Sequence, residues 1–311
     1  MSTVDLSVEL CGLHLRNPFI LAAGILGTSA ALLERVARSG AGAVTSKSCG
    51  PEPRRGHPNP TVLPWEGGLI NAVGLANPGA RAMVGILQEA RARCAGLGVP
   101  VIASVFGETV EAFGEVTRTL EAAAPDAYEV NISCPNVAAE FGQPFAADPA
   151  QAAAAVAAVR AATRRPVIVK LSPNVADICA VARAVVDAGA DAIAAINTLG
   201  PGMLIDIRAR RPVLANRVGG LSGPAIRPVA VRCVYELAKA VPVPIVGLGG
   251  VMSGEDAVEM VMAGATAVGV GSAFHYRGME VLAAMAAEMS AFMREEGLPC
   301  LAAMRGLAHG T

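Results

Sequence analysis

Glu129-Val130-Asn131-Ile132-Ser133-Cys134-Pro135-Asn136 is an apolar, β-prone run that stops at a cysteine set between two asparagines. Proline at 135 cannot donate to a sheet and turns the chain. Cys134 is therefore expected in a loop just past a strand end, with the carboxamides of Asn131 and Asn136 close by. In parallel α/β proteins the loops beyond the carboxyl ends of the strands carry the chemistry. A lone cysteine before a turn is more often a small buried hydrophobe; the flanking asparagines and the rest of the chain weigh the other way.

Runs of the same kind recur and alternate with helical patterns: 19–23, 43–46, 101–105, 128–132, 167–171, 192–196, 244–247 and 267–270. The helices between them are punctuated. A helix over 29–38 ends at Gly40, and one over 175–187 stops at Gly189. Asp148 is an N-cap with Pro149 at the first helical position. Ser253 and Asp256 have capping-box spacing. Eight strands, each followed by a helix, predict an α/β fold, a (β/α)8 TIM barrel of one domain over residues 1–311. A doubly wound open sheet is the runner-up. Two short runs, 6–10 and 13–15, straddle Cys11-Gly12 and predict an N-terminal β-hairpin that plugs the amino-terminal end of the barrel. The Pro/Gly-rich stretch 50–78 shows no clear periodicity and reads as an ordered active-site loop excursion.

The chain has 311 residues, 53% hydrophobic and 16% charged, with a net charge of -1, so it can bury a large core and is no disordered chain. The charge balance, with no long basic or acidic run, argues against nucleic acid or an anionic membrane as partner. The mean hydropathy of +0.48 is high. No uninterrupted apolar stretch has the length of a membrane span, so parallel strands buried on both faces explain it better. The N-terminus lacks the basic and apolar regions of a signal peptide. Seven widely spaced cysteines without a C-x-x-C pair suggest reduced thiols in the cytoplasm, and no iron–sulfur or zinc site. Four isolated histidines give no metal-ligand spacing, so no metal is expected.

Two glycine turns end the last two strands, Gly247-Leu248-Gly249-Gly250 and Gly269-Val270-Gly271-Ser272. In barrels the loops after strands seven and eight often build a phosphate site from backbone N–H groups. Gly219-Gly220-Leu221-Ser222-Gly223-Pro224 is read as a third edge of that site. Of only three lysines, Lys47 and Lys170 fall at strand ends, where burial is costly unless a negative charge meets them. Asn197-Thr198 ends the sixth strand, and Asn71 and Asn77 lie in the long loop. A mouth ringed by asparagine suits a planar, polar, anionic ligand. It lacks the paired carboxylates of glycosidases.

These motifs together resemble class 1 dihydroorotate dehydrogenases: Asn131 to Asn136, Asn71-Ala72-Val73-Gly74-Leu75-Ala76-Asn77-Pro78-Gly79, Ile196-Asn197-Thr198, Gly220 to Gly223 and both glycine turns. The resemblance covers essentially the whole chain and is nearest the B type. It implies an enzyme that oxidises (S)-dihydroorotate to orotate in pyrimidine (UMP) synthesis with one FMN per chain. Lys170 would approach the flavin near N1 and O2. Gly223, Gly249, Gly250, Gly271 and Ser272 would hold its phosphate, and Ala23, Lys47, Ser48, Ser104, Asn131 and Ile196 would complete its site. Lys47, Asn71, Ala72, Val73, Gly74, Leu75, Asn131, Asn136, Asn197 and Thr198 would hold the pyrimidine and its carboxylate. Cys134 would be the base at C5 while C6 delivers hydride to flavin N5.

Two positions depart from the family's commonest pattern: Ser104 stands where asparagine often contacts the flavin, and Ala23 where serine is frequent. The resemblance further implies a homodimer, within a heterotetramer whose separate subunit carries FAD and a 2Fe-2S cluster and passes electrons to NAD. Three alternatives stand beside this. A dihydropyrimidine dehydrogenase subunit would not need a cation for a carboxylate, whereas Lys47 suits orotate. A fumarate-dependent A-type enzyme would need no partner. A non-catalytic metabolite-binding barrel would not need Cys134.

Overall fold

All eight of the anticipated runs form strands, most of them buried on both faces. The computed structural model describes residues 4–133 and 145–310. In chain order the strands are β1 (Val8–Leu10), β2 (Leu13–Leu15), β3 (Phe19–Leu21), β4 (Ala43–Thr45), β5 (Val62–Trp65), β6 (Gly68–Asn71), β7 (Val101–Val105), β8 (Ala127–Asn131), β9 (Val167–Leu171), β10 (Ala192–Ala195), β11 (Leu199–Gly202), β12 (Ile205–Asp206), β13 (Arg211–Pro212), β14 (Gly219–Ser222), β15 (Ile245–Leu248) and β16 (Ala267–Val270). Strands β3, β4, β7, β8, β9, β10, β15 and β16 close into one parallel barrel in that order, with β16 pairing back onto β3. The fold is the (β/α)8 barrel.

Side chains alternate across each strand, and the core divides accordingly. Phe19, Val44, Val101, Tyr128, Val167, Ile193 and Val268 belong to the large cluster shared with the surrounding helices. Their neighbours Ile20, Ala43, Ile102, Ala127, Ile168, Ala192 and Ala267 form a second cluster inside the barrel. Leu10 and Leu15 of the β1–β2 hairpin are fully buried in that inner cluster. The hairpin is thus the apolar plug expected from the sequence.

Helix punctuation follows the sequence in most places. Ser29 caps Ala30–Arg38, Asp148 caps Pro149–Ala162, and Ser253 and Asp256 form a reciprocal capping box at Gly254–Met262. The helix expected over 175–187 is shorter, Ile178–Asp187. Asp177 sets its start by accepting a hydrogen bond from the Ala180 N–H at 2.9 Å.

The excursion 50–78 is more regular than its sequence suggests. It contains the β5–β6 hairpin, which joins β14 and β11 in a four-stranded sheet of order β11-β14-β6-β5. Pro64 is tolerated because β5 is the edge strand. Ile70, Ala72 and Leu214 make a small separate core beneath this sheet. Among the described residues, no helix is long and apolar enough to cross a membrane.

Truncating the plug should be expensive. Leu15→Ala should destabilise by about 2–5 kcal/mol, the usual range for a buried leucine. Leu307, 50% exposed, should tolerate the same change with little loss. Chemical denaturation of both variants checks this; equal midpoints would show that the hairpin does not fill the barrel end.

Candidate active site

On three adjacent strands, β7, β8 and β9, period-two alternation carries the inward-facing row from apolar to polar toward the carboxyl end. Ile102 is followed on the same face by Ser104, Ala127 by Glu129 and Asn131, and Ile168 by Lys170. The strand register sets Ser104 beside Glu129, and Asn131 beside Lys170. A polar layer therefore sits on top of the plug, at the barrel mouth.

Above it lies an open cleft, bounded by strand ends on one side and by the β11-β14-β6-β5 sheet on the other. Ala23, Lys47, Ser48, Asn131, Lys170 and Ile196 line it from the barrel. Gly223, Gly249, Gly250, Gly271 and Ser272 form one end. Asn71, Val73, Gly74, Leu75, Asn197 and Thr198 complete the wall.

Two of the anticipated residues do not reach the cleft. Ser104 is fully buried one layer below it, because its place on the inward face of β7 puts its short side chain beneath the mouth. Ala72 is fully buried and points into the small core under the sheet. Cys134 and Asn136 lie outside the described residues. The segment Gly219 to Pro224, read as a phosphate edge, reaches the cleft only in part. Residues 219–222 are strand β14, and a Cβ at Gly220 would come within 2.1 Å of Thr198 Oγ1. Close strand packing explains that glycine, and only Ser222 and Gly223 of the segment face the cleft.

Other residues of the cleft and of the layer beneath it escaped the sequence reading. Val62 and Leu69 come from the hairpin that was not foreseen. Glu129, only 5% exposed, approaches Lys170 Nζ at 4.0 Å. The signal for it was present: counting by two from Asn131 places Glu129 on the same inward face. Ser133 also joins the site. Its hydroxyl donates to the Lys170 carbonyl at 3.1 Å and accepts from Asn197 Nδ2 at 2.9 Å.

These contacts hold the asparagines in defined orientations. Asn131 Oδ1 accepts from the Ser133 N–H at 3.3 Å and from Asn197 Nδ2 at 3.4 Å, while its Nδ2 donates to Ser48 Oγ at 3.3 Å. Lys47 is 7% exposed, and its N–H donates to the Gly27 carbonyl at 2.9 Å. Cys49, two residues on, is no candidate base: burial pushes its thiol up to about 12. Burial likewise pushes Cys11 up to about 12 and Cys94 up to about 11.

The glycine turns separate into two kinds. Gly250 has φ +76°, and a Cβ there would meet Arg227 Cβ at 2.7 Å and the Gly223 carbonyl at 2.8 Å. Gly271 has no such constraint: a Cβ would find only Ala22 Cβ, at 3.8 Å. Its bare backbone faces open space in the cleft. Gly250→Ala should therefore cost about 1–3 kcal/mol of stability through strain, whereas Gly271→Ala should leave the melting temperature unchanged. Thermal unfolding of the two variants checks this, and a large loss at 271 would mean the protein itself fills that space.

A closed parallel barrel with lysines, asparagines and a glycine-rich end around one mouth can be set beside known proteins. The family model for dihydroorotate dehydrogenase matches residues 5–293. A protein of Methanosarcina mazei, named dihydroorotate dehydrogenase B (NAD(+)), catalytic subunit, is 49% identical over 305 residues, covering 98% of this chain and 95% of its own length. A protein of the same name from Methanocaldococcus jannaschii is 44% identical over 309 residues, 99% of this chain and 100% of its own. One from Pyrococcus horikoshii is 43% identical over 303 residues, 97% of each chain. Likeness of this extent runs through barrel, excursion and cleft alike, and the chain belongs to the dihydroorotate dehydrogenase family.

Proposed function

We propose that this chain is the catalytic, FMN-binding subunit of an NAD-linked dihydroorotate dehydrogenase, which oxidises (S)-dihydroorotate to orotate in pyrimidine synthesis. The observation that carries the reading is the convergence of Lys47, Lys170, Asn71, Asn131 and Asn197 on one cleft whose far end is a bare glycine turn. Orotate brings a carboxylate that a lysine at the mouth can meet as a charge-assisted pair, whereas uracil brings none.

The residues present fit FMN. The open backbone at Gly271 is a cradle that a Cβ would fill, and Gly249, Gly250, Gly223 and Ser272 flank it, so backbone groups can approach a phosphate closely. Lys170, Ser48, Asn131, Ala23 and Ile196 would hold the ring. When bound, FMN supplies the acceptor for the hydride leaving dihydroorotate. The remaining work falls to the protein. Lys47 pairs with the substrate carboxylate, and Asn71, Asn131, Asn197 and Thr198 grip the pyrimidine edge; the motif adds Asn136. The sheet that walls the cleft excludes water from the ring. Cys134, by its place in the Asn131 to Asn136 motif, takes the proton from C5.

Cys134→Ala should keep FMN but slow flavin bleaching by dihydroorotate roughly 10²–10⁴-fold, the usual contribution of a general base. Cys134→Ser should fall between and recover as pH rises, because a hydroxyl is the weaker base. A Cys134→Ala protein that bleaches at the parental rate would make the thiol a bystander.

The electron exit follows from the B-type resemblance. The chain lacks a Rossmann-type Gly-x-Gly-x-x-Gly for NAD. The catalytic subunit is assigned a partner subunit carrying FAD and a 2Fe-2S cluster, in a heterotetramer built on a homodimer of this chain, in the cytoplasm. The isolated chain should reduce artificial dyes with dihydroorotate but reduce NAD⁺ negligibly until that partner is added. Brisk NAD⁺ reduction by the chain alone would remove the partner, and brisk fumarate reduction would make the enzyme A-type.

A further inference from the structure

Glu129 has no part in the chemistry described above, yet it is the acid buried inside the barrel mouth. It is 5% exposed, its Oε1 lies 4.0 Å from Lys170 Nζ, and Lys170 itself is 6% exposed. Two buried charges persist only when paired and hydrogen-bonded. The second requirement is met by Ser104, whose hydroxyl donates to Glu129 Oε1 at 3.2 Å.

That bond fixes the direction of a longer chain. Ser104 has one hydroxyl hydrogen, and the carboxylate takes it. In the 2.8 Å contact between Ser48 and Ser104, Ser48 must then be the donor. Ser48 in turn accepts from Asn131 Nδ2 at 3.3 Å. The hydrogen bonds run one way, from Asn131 through Ser48 and Ser104 to Glu129. The amide of Asn131 is thereby held with Nδ2 toward Ser48 and Oδ1 toward Asn197.

We propose that Glu129 is a positioning residue of the redox site: it anchors Lys170 from inside the barrel and, through the two serines, sets which face Asn131 presents to the cleft. This rests on the FMN reading above. The carboxylate offsets the Lys170 charge that would otherwise favour electron-rich flavin, so its loss should make flavin reduction easier. Ser104 does its work as a relay beneath the cleft, which accounts for a short hydroxyl at a position where the family often places a flavin-contacting amide.

The test is Glu129→Gln, which keeps the shape and removes the charge, read by the FMN midpoint potential of the holoenzyme. The expected result is retained FMN and a more positive potential, with a smaller shift when the same change is made in a Lys170→Met background. Glu129→Asp should restore most of the parental potential and is the fallback if the glutamine variant does not fold. An unchanged potential in Glu129→Gln, or a shift of the same size in Lys170→Met, would overturn the proposal. A second readout needs no flavin. In flavin-stripped protein, acetic anhydride should label Lys170 several-fold faster relative to Lys239 once Glu129 is Gln, and an unchanged ratio would also overturn it. If the parental protein binds no FMN, the functional reading fails, and the labelling ratio still decides whether Glu129 anchors Lys170.

Discussion

Closing eight parallel strands into a ring creates an interior that side chains must fill, and the mouth of this protein depends on how that filling changes along the strands. At the amino-terminal end it is apolar: Ile20, Ile102 and Ile168 meet Leu10 and Leu15 of the plug. One step up each of three adjacent strands it becomes polar, with Ser104, Glu129 and Lys170. A single buried charge there would be costly, so the acid and the base come together, and Ser104 donates a hydrogen bond to the acid. The cleft inherits a rigid floor from that arrangement. Asparagines standing on it are aimed by hydrogen bonds fixed from below.

The walls solve a different problem. A flat ligand must be gripped on its edge and shielded on its face, and barrel strands alone leave the mouth open. The β11-β14-β6-β5 sheet stands over one side and contributes Asn71 and Leu69, while the glycine turns leave backbone exposed at the far end. At Gly271 neither backbone strain nor neighbouring atoms in the protein demand glycine, so the turn leaves open space on the cleft side.

The barrel was legible in the sequence because its strands are buried on both faces and read as unbroken apolar runs between glycine and proline punctuation. Lys47, Lys170, Asn131 and Asn197 were legible because polar residues closing such runs stand out. The four-stranded sheet was not. Its hairpin turns at Glu66-Gly67, but Pro64 and Gly68 break the strand pattern on either side. Its partner β14 lies about 150 residues downstream, through pairs such as Asn71 with Gly220, and no local rule reports so distant a pairing. Glu129 was passed over because an acid within an apolar strand is easily taken as part of the motif that follows. Its meaning lies in Lys170, diagonally across on the next strand, which only the folded structure brings within 4.0 Å.

The central claim, that this mouth joins FMN to dihydroorotate, is tested most directly by anaerobic titration of the purified yellow protein with dihydroorotate, followed at the flavin absorbance. The account predicts that the absorbance falls linearly and is lost at about one equivalent per chain, with orotate as product. Flavin that stays oxidised through a large excess of dihydroorotate would contradict it.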